Sequence, residues 1–207
     1  MDVELYVDPT CAWSWTAFQW LDEVAQSRQL RIRLRPYSLV LRNGVDGLPE
    51  PLRSARLAGH RSLRILAALD DAARCAYFHA LVAPFYAART RPTLDVTPAL
   101  AAIGEPAYAA AAEDERWDDA IRESMAAARD VVGTDADCEP TIPVVAFEAA
   151  DRTIAFQGPL LDPAPTRRDG LVLWDMIETM GRVPGLFELS RPHGRHSLVR
   201  ALAQRAG

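Results

Sequence analysis

The order of predicted strands and helices constrains the fold of this chain more than any other feature of its sequence. Residues 2–8 alternate in polarity and are rich in β-forming side chains, which predicts a strand. Residues 12–28 place apolar side chains at helical spacing, and residues 30–37 alternate again, with aliphatic and arginine side chains on opposite faces. A strand, a helix and a strand within 37 residues predict a βαβ unit with parallel strands and a right-handed crossover.

The rest of the chain divides into a helical block and a second segment that forms sheet. Residues 38–50 contain Asn-Gly and Asp-Gly pairs and are expected to form a loop. Residues 51–132 are rich in Ala, Leu and Arg and contain no convincing strand, which predicts a run of helices. The later predicted elements are a hairpin with strands at 144–147 and 153–156, a helix at 167–181 and a short helix at 196–205.

Without the helical block, the order of elements is βαβ–ββα, which is the minimal order of a thioredoxin fold. The sequence therefore predicts an α/β protein with a thioredoxin fold and an inserted helical domain. The expected boundaries are residues 1–44 and 134–207 for the thioredoxin-like domain and residues 45–133 for the inserted helical domain.

Cys11 stands at the junction between the first strand and the first helix, in the run Cys11-Ala12-Trp13-Ser14. Free backbone N–H groups and the helix dipole favour the thiolate there, so we expect the pKa of Cys11 to fall below the free value of about 8.5. The thiolate is the nucleophile in disulfide exchange. Ser14 lies one helical turn on and is placed to donate a hydrogen bond to the sulfur. We predict Cys11 and Ser14 as catalytic residues; the alternative is a buried cysteine that merely begins a helix.

A second candidate segment, Glu139-Pro140-Thr141, precedes the predicted strand at residue 144. Thioredoxin folds place a cis proline at this point, facing the active-site cysteine, and we assign Pro140 to it. The alternative is a trans proline leading into an edge strand. A Glu139 carboxylate close to Cys11 would oppose ionisation of the thiol, unless it faces solvent or binds a cation. Cys138 is a candidate resolving thiol, with a bystander role as the alternative.

Composition excludes several classes of function. The net charge is -5, which gives no nucleic-acid footprint. All 23 basic residues are Arg, so Schiff-base chemistry on a lysine is excluded. No apolar run reaches the length of a membrane span, and the N-terminus has no secretory signal, so we expect a cytoplasmic protein with no membrane partner.

Several remaining side chains have competing interpretations. Trp15 and Trp20 either line an aromatic substrate pocket or belong to the core, whereas Trp13 is expected to be exposed. Cys75 lies in an Ala-rich helical run and is expected in the core. No metal site is expected, because the histidines do not cluster with Cys or acidic partners at ligand spacing. These histidines are His60, His79, His193 and His196.

The run from Val7 to Trp15 resembles the Asp-Pro-x-Cys-Pro-Trp-Cys-Trp start of the actinobacterial mycothiol-dependent nitroreductase family, within the wider DsbA-like group. The resemblance implies a thioredoxin core with a helical insertion and a reactive Cys11 that forms mixed disulfides with mycothiol. It implies mycothiol as a co-substrate and no tightly bound cofactor. Similar segments follow in the family's order at residues 140–142, 156–160, 173–175 and 187–189.

This sequence departs from the family pattern at three positions. Ser14 stands where members often have a second cysteine, and Ala12 stands where a proline is usual. Glu139 replaces the small neutral residue usual before the cis proline. The motif is therefore CxxS, and a monothiol cycle needs an external thiol to resolve the mixed disulfide.

These observations together predict a thiol-dependent oxidoreductase that acts on a small electrophilic or disulfide substrate. The expected contacts to the thiol or substrate come from Ala12, Trp13, Glu139, Pro140 and Thr141. One alternative is an enzyme like the kappa-class glutathione transferases or the 2-hydroxychromene-2-carboxylate isomerases, which commonly use Ser at the first motif position. Another is a non-catalytic thioredoxin-fold binding protein. A homodimer remains open by analogy.

Overall fold

The computed structural model describes residues 1–88, 93–134, 138–149, 152–183 and 186. Within this part, strands and helices follow the predicted order, with the helical block between the second and third strands. The strands are β1 (Asp2–Val7), β2 (Arg31–Pro36), β3 (Val144–Ala149) and β4 (Arg152–Gln157). The helices are α1 (Ala12–Arg28), α2 (Leu39–Asn43), α3 (Glu50–Ala68), α4 (Asp71–Ala87), α5 (Val96–Ala102), a 3-10 helix (Pro106–Glu113), α6 (Trp117–Val132) and α7 (Arg167–Met180).

The four strands form one sheet in the order β2-β1-β3-β4. β1 pairs with β2 in parallel, whereas β3 is antiparallel to both β1 and β4. This topology confirms the predicted βαβ–ββα thioredoxin fold. Because Val7 pairs with Pro36 at the ends of β1 and β2, the segments that follow these two strands leave the sheet side by side. The division of the chain into two domains stays a prediction.

Aromatic side chains fix the helices α1 and α7 against one face of the sheet. Phe147 of β3 pairs with Val3 of β1, and its ring lies 5.2 Å from the ring of Trp174 on α7. Trp174 in turn packs against Trp20 of α1, with 6.2 Å between ring centroids. The Trp20 indole N–H donates to the Gly170 carbonyl at 2.9 Å. Trp20 is therefore a core residue, and it satisfies its polar atom on α7.

One expectation from the sequence is wrong, and another lies outside the described residues. The segment predicted as a loop at 38–50 contains the five-residue helix α2, because Ser38 caps it by accepting a hydrogen bond from the Leu41 N–H. The predicted helix at 196–205, and His193 and His196, lie outside the described residues. No described helix is long and apolar enough to cross a membrane.

Candidate active site

Cys11 is the N-cap residue of α1, and its backbone is extended there. Its N–H donates to the Asp8 carbonyl at 3.0 Å, and its carbonyl accepts from the Trp15 N–H at 3.2 Å. The side chain is half-buried, and its Sγ lies 4.0 Å from the carbonyl oxygen of Ile142. The sulfur therefore sits between the start of the first helix and the segment that leads into β3.

Burial and hydrogen bonding act in opposite directions on the Cys11 thiol. Loss of hydration raises its pKa, and this is the largest influence, while the Ser14 hydroxyl and the N–H groups of Ser14 and Trp13 lower it. The negative charge of Asp8 adds to the rise in the pKa. The net pKa is raised, so the expected lowering at the helix N-terminus is wrong for this structure. Desolvation of the sulfur outweighs the donors around it.

Ser14 is fully buried, unlike Cys11. Its Oγ accepts a hydrogen bond from the Asp8 N–H at 3.4 Å and donates toward the Cys11 sulfur. The structure thus brings Cys11 and Ser14 together as the sequence predicted. Ser14 supports the thiol from the protein interior and is not itself open to substrate.

The cis proline next to Cys11 is Pro143, so the assignment of Pro140 is wrong. The cis bond before β3 joins Ile142 to Pro143, and the Glu139–Pro140 bond is not among the cis bonds of the described residues. β3 begins at Val144, and a residue that faces Cys11 has to lie directly before this strand. Pro140 lies earlier and is buried, and its carbonyl accepts from the Tyr37 hydroxyl at 3.1 Å. In the sequence, only its position directly before the predicted strand distinguishes Pro143 from Pro140, and that position alone does not assign the cis bond.

Glu139 binds a cation, which was one of the predicted alternatives. Its carboxylate pairs with Arg129 of α6 and accepts from the Tyr37 hydroxyl at 2.7 Å. Ile142, an apolar residue, takes the place before the cis proline that sequence reasoning gave to Glu139. Thr141 is exposed, and its N–H donates to the Gln157 side chain at 2.7 Å. Glu139, Pro140 and Thr141 therefore anchor the segment that faces Cys11.

Asp8 is a site residue that sequence reasoning missed. It is 1% exposed, and one carboxylate oxygen accepts from both the N–H and the hydroxyl of Thr10, at 2.7 and 2.6 Å. The other oxygen accepts from the Leu39 N–H at 2.8 Å. Asp8 thereby joins the segment that carries Cys11 to the segment that follows β2. A carboxylate at the end of an apolar strand, before a proline, was the signal available in the sequence.

The helix α3 packs directly on the segment that carries Cys11. A Cβ on Gly59 would lie 2.5 Å from the Thr10 Cγ2, so only glycine allows this approach. One turn earlier, Arg56 donates from Nη1 to the Thr10 hydroxyl at 2.6 Å. Thr10 is therefore held between Asp8 on one side and α3 on the other.

The tryptophans near Cys11 are less exposed than expected. Trp13 lies in the first turn of α1 and is half-buried, so the prediction that it is exposed is wrong. Trp15 is 8% exposed and stacks on Tyr86 with 6.4 Å between ring centroids, while the Tyr86 hydroxyl donates to the Pro9 carbonyl. Trp15 and Trp20 therefore belong to the core, which was one of the two interpretations of these side chains.

The three cysteines are free thiols with different surroundings. Cys138 is exposed, and its role as a resolving thiol stays a prediction. Cys75 is packed against the core as expected, with its Sγ 3.7 Å from the Ile32 carbonyl, and burial raises its pKa to about 12. Among the described residues, no group of three or more His, Cys, Asp or Glu side chains could hold a metal ion.

Comparisons with known proteins add a family and a fold. A family model described as Rv2466c-like, for the mycothiol-dependent nitroreductase Rv2466c, matches residues 10–191. The structure of the cytosolic disulfide reductase DsbM from Pseudomonas aeruginosa is 18% identical, with a TM-score of 0.51 over 87% of this chain and 100% of that one. The same reductase with GSH is 18% identical, with a TM-score of 0.49 over 85% of this chain and 98% of that one. The first of these structures shares the fold described above.

Proposed function

The chain belongs to the Rv2466c-like family of mycothiol-dependent nitroreductases and is a thiol-dependent oxidoreductase, and from this premise we propose that Cys11 works through a mixed disulfide with mycothiol. The observation that carries the proposal is the placement of the Cys11 sulfur. It lies at the start of α1, 4.0 Å from the Ile142 carbonyl oxygen, in a residue that is only partly exposed, and the Ser14 hydroxyl donates to it from the interior.

The proposed cycle uses one protein thiol, one external disulfide and one external thiol. The Cys11 thiolate attacks a disulfide sulfur, the S–S bond breaks, one thiolate leaves and the protein retains a mixed disulfide. An external thiolate then attacks the outer sulfur of that mixed disulfide, which releases a small disulfide and restores the Cys11 thiolate. Ser14 has no sulfur to complete this step internally, so mycothiol is the proposed resolving thiol.

We propose that Ala12, Trp13 and Thr141 contact the thiol or a small electrophilic or disulfide substrate. Glu139 and Pro140 contribute indirectly, because they anchor the segment that faces Cys11. The partial exposure of Trp13 and the exposure of Thr141 support these roles. Trp13 lies in the first turn of α1, and Thr141 lies in the segment that leads from α6 to β3. A cytosolic location, which is that of the Pseudomonas aeruginosa reductase DsbM, and a homodimer belong to the same proposal.

Intact-mass measurement tests the proposal directly. The protein is incubated with the disulfide of mycothiol and, separately, with glutathione disulfide. We expect a single mycothiol adduct that disappears in Cys11→Ser and persists in Cys138→Ser and Cys75→Ser. An adduct that survives Cys11→Ser, or that needs Cys138, contradicts the assignment of Cys11 as the nucleophile.

One observation favours a second function, that of a non-catalytic binding protein. The raised pKa of Cys11 is what a motif without catalytic activity would show. Turnover of a small disulfide with excess thiol separates the two functions, because only an enzyme regenerates Cys11 and continues to consume the disulfide. The isomerase-like alternative is less favoured, because Ser14 is fully buried and cannot contact a substrate.

A further inference from the structure

Arg56 on α3 is the cationic side chain that contacts the segment carrying Cys11. Its Nη1 donates to the hydroxyl of Thr10, the residue directly before Cys11, at 2.6 Å. The close approach of Gly59 to Thr10 fixes the distance between α3 and this segment. Packing therefore sets the distance between α3 and this segment, and the hydrogen bond to Thr10 holds the Arg56 guanidinium beside the residue that precedes Cys11.

The guanidinium of Arg56 has N–H groups that remain available to a ligand. Its nearest carboxylate is Asp8 at 4.0 Å, which is beyond hydrogen-bond distance, and the Asp8 oxygens already accept from Thr10 and Leu39. Nε and Nη2 of Arg56 have no hydrogen-bond partner among the described residues. The side chain is 23% exposed and contacts the residue directly before Cys11, so part of it is accessible to a ligand from solvent.

Resting on the proposed function, we propose that Arg56 determines specificity at this site by binding a carboxylate of the disulfide or electrophile that Cys11 attacks. Two parallel N–H groups of a guanidinium fit the two oxygens of a carboxylate. The nearby Asp8 carboxylate offsets the positive charge of Arg56. The preference for a carboxylate therefore arises mainly from hydrogen bonds with Arg56 and less from long-range attraction. A thiol without a carboxylate can still resolve the mixed disulfide, because Arg56 binds the disulfide or electrophile that Cys11 attacks and not the resolving thiol.

Two aryl disulfides, one anionic and one neutral, test this proposal. Dithiobis(nitrobenzoate) carries carboxylates and dithiodipyridine carries none, and in both reactions the Cys11 thiolate breaks the S–S bond and releases one aryl thiolate. Rates are measured in a Cys138→Ser background, so that the exposed second thiol does not contribute. The quantity compared is the ratio of the two rates, which cancels any change in the ionisation of Cys11.

In Arg56→Gln we expect the rate with dithiobis(nitrobenzoate) to fall roughly tenfold more than the rate with dithiodipyridine. Arg53→Gln is the matched control, because Arg53 is an exposed arginine one turn earlier on α3 and its loss changes the net charge equally. Arg56→Lys keeps the charge without the planar fork, and we expect a partial loss. Far-ultraviolet circular dichroism checks that each variant is folded.

Two results would overturn the inference while leaving the proposed function intact. Equal losses with both reagents would mean that Arg56 only holds the Thr10 segment in place. An equal change of the ratio in Arg53→Gln would mean that net charge, and not a specific contact, sets the preference. A Cys11 that reacts with neither reagent in the unchanged protein would overturn the proposed function and this inference together.

Discussion

Gly59→Ala changes the contact between α3 and the segment that carries Cys11 by a single methyl group. The new Cβ would lie 2.5 Å from the Thr10 Cγ2, whereas carbon atoms in contact prefer about 3.5–4.0 Å. Thr10 cannot rotate the methyl away, because its hydroxyl is held by Asp8 and Arg56, each at 2.6 Å. The helix or the segment therefore has to move by about 1 Å or more.

The expected free energies follow from two opposing effects. Overpacking of this kind costs about 1–3 kcal/mol, while alanine in place of a glycine inside a helix stabilises by about 1 kcal/mol. We expect Gly59→Ala to lower the free energy of unfolding by about 1 kcal/mol. Thr10→Ser removes the clashing methyl and keeps the hydroxyl, and the next contacts of the new Cβ, to Pro9 and Asp8 at 3.6 and 3.7 Å, are ordinary. In that background, Gly59→Ala should raise the free energy of unfolding by about 1 kcal/mol, because only the higher helix propensity of alanine remains.

Urea unfolding of the original protein, the two single variants and the double variant measures all four free energies. The same four proteins are assayed for the rate of Cys11 modification, because a displaced α3 also displaces the segment that carries the thiol. We expect the modification rate to change in Gly59→Ala and to recover in the double variant. A Gly59→Ala effect of the same sign in both backgrounds would refute the reasoning.

Three further predictions concern titratable groups. Ser14→Ala should slow alkylation of Cys11 at pH 7 roughly tenfold, because the hydroxyl that lowers the thiol pKa is lost; an unchanged pH–rate curve would contradict this. Burial lowers the pKa of His60, so the unfolded chain binds a proton first and stability should fall as the pH drops below about 6.5. His60→Gln should remove that part of the fall, as measured by urea unfolding at neutral and mildly acidic pH, and a persisting slope would exclude His60 as its source. Cys75 should resist alkylation at pH 8 while Cys138 is modified, because burial raises the pKa of Cys75 to about 12; peptide mapping that finds Cys75 modified in the native protein would contradict this.

Local sequence periodicity was enough to predict the strands, and the order of strands and helices then predicted the topology of a thioredoxin fold. β2 is read from the alternation of Ile32 and Leu34 with arginines, and β3 from an apolar run that begins at Val144. The helix α2 was missed because it has only five residues and depends on tertiary partners. Its cap, Ser38, also hydrogen-bonds His60 of α3 at 2.9 Å, and no local pattern shows that contact.

The candidate site was predictable where it depends on chain position and not where it depends on distant contacts. Cys11 and Ser14 follow from the strand-to-helix junction and from helical spacing. The choice between Pro140 and Pro143 does not, because the surroundings of Pro143 include a hydrogen bond from the Gly158 N–H to its carbonyl at 2.7 Å. The sign of the shift in the Cys11 pKa likewise depends on burial by residues such as Ile142, more than a hundred positions away.

The raised pKa of Cys11 has consequences for both halves of the proposed cycle. Less thiolate is present for the first attack, but each thiolate that forms is a stronger nucleophile. In the mixed disulfide, Cys11 is the leaving group when the external thiol attacks the outer sulfur, and a thiol with a high pKa leaves slowly. Ser14 offsets this by donating to the departing sulfur from the protein interior. The serine at the second motif position therefore takes over stabilisation of the thiolate, and resolution becomes the step that depends on the concentration of external thiol.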